Sequence, residues 1–231
     1  GSGSSNTDGS INTISTSVNT TAGISISTYT GTGSNATVGH GLGAVPATMW
    51  IKNRDTNDNW RIYSKKDPTD YMAFNWAGAS TDDNTAWNDT APTSSVFSIG
   101  TDTNTNRSGD KFIAYCFAEV EGFSSFGSYS GNGSTNGPYI YTDFRPAWIM
   151  IKRTDVADYW WGLFDNKRDP INVADAILYA NDAYAEDDSD SLDILSNGFK
   201  LKANSAFINN SSGSYIYMAF AEFPFKYANA R

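Results

Sequence analysis

Pro46-Ala-Thr-Met-Trp-Ile-Lys52 returns as Pro146-Ala-Trp-Ile-Met-Ile-Lys152, a displacement of 100 residues, and the neighbouring sequence repeats with it. Upstream, Tyr29-Thr-Gly-Thr-Gly33-Ser34 answers Tyr129-Ser-Gly-Asn-Gly133-Ser134 at the same displacement. Downstream, Asp55…Asp58-Asn-Trp60 is matched by Asp155…Asp158-Tyr-Trp160. The register slips by two before Lys66-Asp-Pro68 and Arg168-Asp-Pro170, and holds through Phe97-Ser-Ile99 and Phe199-Lys-Leu201. It closes at 103 with Ala114-Tyr-Cys-Phe-Ala-Glu119 and Tyr217-Met-Ala-Phe-Ala-Glu222. Blocks that keep one order and slip only in polar stretches mark an internal duplication. Two copies of about 100 residues do not make a solenoid, which stacks several short repeats. They have the size of a self-contained β-sandwich.

The residue types agree. Hydrophobic residues make up 39% of the 231-residue chain and aromatic residues 14%, enough for packed cores. They are mostly Phe, Tyr, Trp, Ile and Val, which suit pleated, half-buried surfaces. The expected fold is therefore all-β: two tandem, jelly-roll-like β-sandwich repeats at 11–122 and 123–231, with the Ser/Gly/Asn-rich residues 1–10 as a linker. A single larger sandwich assembled from both copies is the alternative. Met49-Trp50-Ile51 and Trp148–Ile151 read as central strands covered on both faces. Ile14, Val18, Ile24 and Ile26 alternate with Ser and Thr, which predicts an N-terminal strand with a turn at Thr20–Gly23. The long loops, 67–95 and 169–197, differ most between the copies, and specificity is expected where a shared framework positions diverged loops.

Sixteen basic against 25 acidic residues give a net charge of −9, and no Lys/Arg cluster offsets it, so nucleic acid is not expected as a partner. No apolar run is long enough to cross a bilayer as a helix, so membrane insertion is not expected. No signal peptide is visible, and a start at Gly-Ser-Gly-Ser-Ser reads as a piece of a longer polypeptide or as an appended scar. Cys116, the one cysteine, sits in a strand pattern and reads as a small buried hydrophobe.

Candidate chemistry is sparse. His40, the one histidine, lies in Gly39-His-Gly-Leu-Gly43 and has no counterpart in the second copy; it reads as a loop residue without chemistry. Glu119/Glu222 and Asp55/Asp155 recur between copies, which points to turn bonds or ion pairs with the repeated Lys52/Lys152 rather than to the two carboxylates of a glycosidase. No catalytic residue and no required cofactor is expected, and zinc lacks its His/Cys set. Calcium is the metal the acidic loops suit, at Asp187, Asp188 and Asp190. The best functional hint is aromatic: Trp76, Trp87, Tyr159, Trp161 and Tyr184 lie in or beside loops, where rings stack on sugar faces. Trp50, Trp60, Trp148 and Trp160 sit in strand patterns and read as core.

The motif series, from Tyr29-Thr-Gly-Thr-Gly33 and Gly39-His-Gly-Leu-Gly43 to Phe112–Phe123, Tyr129–Asp155 and the terminal Tyr215–Arg231, resembles a domain of bacteriophage tail proteins common in phages of marine and aquatic bacteria. The resemblance runs from about Ile24 to the end. It implies a virion location in a tail fibre, tail spike or comparable fibre, other virion proteins and host cell-surface polysaccharide as partners, and a homo-oligomer, a trimer in most such fibres. The function expected on that basis is non-enzymatic binding of a host-surface glycan. A purely architectural fibre or capsid-decoration role is the alternative, and a polysaccharide depolymerase stands behind both. The resemblance brings no ligand or catalytic residues to transfer.

Overall fold

The computed structural model describes residues 3–223, so the terminal stretch 224–231, part of the resemblance above, lies outside the described residues. The chain is nearly all β and divides into two compact units. One takes in the described residues up to Phe74 together with Ser80–Glu119; the other takes in Asn75–Ala79 and the described residues from Val120 onward.

In the first unit the strands are β1 (Ser15–Asn19), β2 (Ile24–Thr30), β3 (Ala36–Gly39), β4 (Thr48–Asn53), β5 (Arg61–Ser64), β6 (Asp70–Ala73), β7 (Thr81–Asp82), β8 (Val96–Ile99) and β9 (Lys111–Phe117). They form an antiparallel sheet in the order β1-β2-β9-β4-β5-β6-β7 and a separate pair, β3-β8. Side chains alternate between faces along a strand. Tyr29, Met49, Ile51, Phe112, Ala114 and Cys116 of the large sheet accordingly share one buried cluster with Val38, Phe97 and Ile99 of the pair. Burial pushes the Cys116 thiol up to about 12, so it stays protonated. Two single-turn helices are present, α1 (Asn84–Trp87), inside the stretch 67–95 that reads as a long loop, and α2 (Thr103–Asn106). Asp83 and Asp102 cap them, accepting from the Thr85 and Asn104 N–H groups.

The second unit contains β10 (Ser124–Ser130), β11 (Tyr139–Tyr141), β12 (Pro146–Arg153), β13 (Gly162–Asp165), β14 (Leu178–Tyr179), β15 (Leu192–Leu195), β16 (Gly198–Leu201) and β17 (Ser214–Ala221). Its sheets run β10-β17-β12-β13-β14 and β11-β16-β15. Ile149, Ile151, Phe164, Tyr215 and Ala219 of the first meet Ile140, Ile194, Phe199 and Leu201 of the second in one cluster. The order β10-β17-β12-β13-β14 is that of β2-β9-β4-β5-β6, and β11-β16 stands as β3-β8 does.

The repeated Tyr-x-Gly-x-Gly stretch has a structural cause. A fully buried asparagine holds it in each unit: Asn106 accepts from Thr32 N–H (2.7 Å) and donates to Ser34 O and Gly100 O, while Asn209 accepts from Asn132 N–H (2.8 Å) and donates to Ser134 O and Ala203 O. Gly33 and Gly133 donate to the carbonyls of those two asparagines at φ +71° and +65°, a backbone region that glycine adopts freely. Tyr29 stacks on Phe112 at 5.3 Å and donates to Thr105 O; Tyr129 stacks on Tyr215 at 5.0 Å and donates to Ile208 O.

Several expectations are corrected. Residues 3–10 do not hang free: Ser4 exchanges backbone bonds with Thr16, and the Asn6 N–H donates to Thr13 Oγ1. The N-terminal strand exists as the β1-β2 hairpin, but its Ile and Val do not make a core face. Ile14, Val18 and Ile26 are exposed, while Thr16, Ser25 and Ser27 are buried, with Thr13, Thr16 and Ser27 forming a hydroxyl chain that ends on Gly39 O. The recurring acids do not pair with Lys52 and Lys152. Glu119 pairs with Lys65 and Glu222 with Arg145, Asp55 accepts from Lys111 N–H, and Asp155 is held by Arg153. Lys52 donates instead to the carbonyls of Thr56 and Asp58 in the following turn.

Candidate functional site

Trp160 and Trp161 immediately precede β13, and successive side chains at a strand entrance point to opposite sides. Trp161 is completely buried, whereas Trp160 is half-buried. Trp161 is anchored through its backbone: its N–H donates to Asn181 Oδ1 (2.9 Å), and its carbonyl accepts from Ala180 N–H (2.9 Å). That pairing continues as Gly162↔Tyr179 of the β13-β14 ladder. Glycine is needed at 162 because a Cβ there would lie 2.4 Å from the Phe207 ring, which supports Tyr179 edge-on at 5.5 Å.

Beyond Tyr179 the chain loops out and returns to a backbone bridge between Ile177 and Asp187. The result is an open cleft of about 420 Å³ lined by Trp160, Tyr179, Tyr184, Ala185, Glu186, Asp187 and Asp188. Trp160 meets Tyr179 at 5.4 Å and 55°, and Tyr184 at 5.5 Å and 83°. Tyr184 is 62% exposed. Asp187 accepts from Tyr179 OH (2.6 Å) and from the Ser189 hydroxyl and N–H; these bonds hold its carboxyl below the usual range. Glu186 pairs with Arg168 (3.0 Å), whose other N–H groups go to Asp165, Ala176 O and Leu163 O.

Of the five aromatic candidates, Tyr184 lines this cleft. Trp87 and Trp161 are completely buried and offer no face to a ligand. Trp87 belongs to the first unit's core, its indole N–H donating to Asp70 O (2.9 Å). Trp76 is 46% exposed, with its ring folded against Gly78. Tyr159 is half-buried under the Arg153 guanidinium, 4.8 Å from the ring centroid. Trp160, which reads as core from its strand pattern, packs against the second unit's core cluster and also walls the cleft, as does Tyr179. The adjacent tryptophans at 160–161 were the available signal, since a strand cannot send both to one core.

Asp187, Asp188 and Asp190 do not form a cation cluster: among the described residues no group of three His, Cys, Asp or Glu is placed to hold a metal ion. Asp187 is occupied as above, Asp188 is exposed, and Asp190 is buried beneath the loop, where burial raises its pKa. His40 is buried rather than displayed by its glycines, accepting from Leu42 N–H at Nδ1 with Nε2 3.1 Å from Thr93 O; burial lowers its pKa. Among the described residues no helix is long and apolar enough to cross a membrane.

No curated protein and no solved structure matches the chain. A family does: residues 1–224 match the one described as Domain of unknown function (DUF7483), and the chain belongs to it.

Proposed function

We propose that the chain is a non-enzymatic module of a phage tail fibre or spike, built from two jelly-roll-like sandwich copies, in which the cleft of the second unit binds a bacterial surface glycan. The observation that carries the binding reading is the open aromatic cleft of Trp160, Tyr179 and Tyr184, edged by hydrogen-bonding carboxylates. Aromatic faces beside a few polar groups are the chemistry of a saccharide site. The copies are inferred from the repeated blocks together with the matching strand orders. The virion setting rests on the resemblance of the motif series to phage tail domains. A depolymerase is disfavoured because glycosidic cleavage needs a carboxyl with a raised pKa at the bond. Asp187 is held low and Glu186 is paired, while the raised Asp190 does not line the cleft.

Tyr184→Ala tests the site. Because the ring is mostly exposed, the unfolding transition is expected to stay within about 0.5 kcal/mol of the parent. Affinity for host polysaccharide, measured by titration calorimetry, is expected to fall about tenfold or more. Undiminished binding would falsify the assignment of this cleft.

The architectural alternative has its own observation. Ile14, Val18 and Ile26 of the β1-β2 hairpin are exposed, Val18 on the face of Ser25 and Ile26 on the face of Ser17, and exposed apolar side chains of this kind are what subunit contacts cover. On the architectural reading, sedimentation would find an oligomer that Val18→Glu with Ile26→Lys dissociates, and no saccharide would bind the intact protein.

A further inference from the structure

The cleft has a charge as well as a shape. Trp160 is inclined to Tyr179 at 55° and to Tyr184 at 83°, and all three rings line the cleft. Each face carries the negative end of a ring quadrupole, and such faces attract ammonium groups. The polar part of the lining is Glu186, Asp187 and Asp188, all acidic. Arg168, the base that reaches this edge through Glu186, is committed to Asp165 and to two backbone carbonyls besides. Asp187 stays ionised because Tyr179 and Ser189 donate to it. The field of the whole chain, at −9, has the same sign.

We propose that the group held between Trp160, Tyr179 and Tyr184 is an organic ammonium, and that the glycan bound there is an amino sugar polymer with free, protonated amines. The second half rests on the glycan reading above. Complementarity selects this ligand from both sides. A uronic acid or phosphorylated sugar meets three carboxylates and a described lining that contributes no Lys, Arg or His, and an N-acetylated sugar brings no charge for rings or acids to hold. An exposed ammonium instead keeps a carboxylate partner at the rim while its carbon-bound hydrogens face the rings.

The test uses the whole chain and three probes at about pH 6, where a sugar amine is charged. The probes are chitotriose with free amines, its fully N-acetylated form, and tetramethylammonium chloride. Calorimetry or ligand-observed NMR is expected to show free-amine chitotriose binding about tenfold or more tightly than the acetylated trimer. That preference should weaken with added salt and disappear in Tyr184→Ala, with Tyr141→Ala, an exposed tyrosine elsewhere in the unit, unaffected. Asp188→Asn is expected to lower affinity for the free-amine trimer and leave the acetylated one unchanged. Equal or tighter binding of the acetylated trimer overturns the ammonium inference and leaves the glycan reading standing. Binding of tetramethylammonium but neither trimer overturns the sugar reading and keeps the ammonium site. Binding of no probe overturns the inference outright.

Discussion

Trp87→Ala is expected to destabilise the first unit by about 4 kcal/mol. Trp87 read from sequence as a loop aromatic free to meet a ligand, whereas its ring is wholly inside the core, edge-on to Tyr63 at 5.9 Å and donating to Asp70 O. Alanine would leave a cavity the size of an indole and strip a donor from the β6 carbonyl, and the two losses act in the same direction. Denaturant unfolding of the variant should show one transition moved to lower denaturant while the second unit's transition stays in place. Hydrogen exchange at β4 and β9 amides identifies the affected unit. Trp76→Ala, at a ring nearly half exposed, is the control, and is expected to shift stability by no more than about 0.5 kcal/mol. A Trp87→Ala protein as stable as the parent would contradict the burial of this ring.

Lys152→Met is expected to act in the opposite sense and stabilise the second unit by about 2–3 kcal/mol at neutral pH. Lys152 is fully buried, and its ammonium donates to the neighbouring Arg153 carbonyl. Burial lowers its pKa from 10.5 to about 8, outweighing the nearby Asp155. The folded pKa lies below the unfolded one, so between these values the unfolded chain retains a proton the folded chain has released. Stability therefore rises with pH through that window, and the cost of the buried charge is fully present below it. Methionine fills similar space without charge, so its advantage should shrink as pH rises from about 8 and vanish near 10.5. Lys52→Met is the comparison. Lys52 is half-buried and bonds two turn carbonyls, so its removal should yield no gain. A Lys152→Met advantage that does not change with pH would separate the effect from the charge.

The all-β class is legible because the repeated sequence blocks fall in strands and tight turns. Ile51 and Ile151, Ala114 and Tyr217 occupy matched places in their ladders, Ile51 opposite Ala114 and Ile151 opposite Tyr217, and a strand's alternation transmits directly to sequence. The β1-β2 hairpin shows where that rule fails. Ile24 and Ile26 read there as a core face, yet Ser25 and Ser27 are the buried side of β2, and Thr16 is buried on the same face as exposed Val18 because its hydroxyl joins those of Thr13 and Ser27 in a chain of bonds. Pattern alone cannot tell which face a neighbour can satisfy. The candidate site was legible in part for a related reason. Tyr184 is visible as a loop aromatic, but Trp160 sits in a strand pattern that reads as core, and it both packs against the core and walls the cleft, a second role that depends on the diverged loop beside it. Asn106 and Asn209 were invisible as anchors, since a buried amide and a loop amide look alike in sequence.

Each sandwich-sized unit begins and ends side by side. β2 and β9 are antiparallel neighbours with Ile24 opposite Phe117, and β10 and β17 are neighbours with Ser124 opposite Phe220. The polypeptide thus enters the repeated framework and leaves it at the same end of one ladder. A gene segment encoding such a unit can be copied in line, because the join has only to step from the close of one ladder to the opening of the next, here residues 118–123. Further reiteration of such a unit would then disturb no hydrogen-bond pairing inside the units already present.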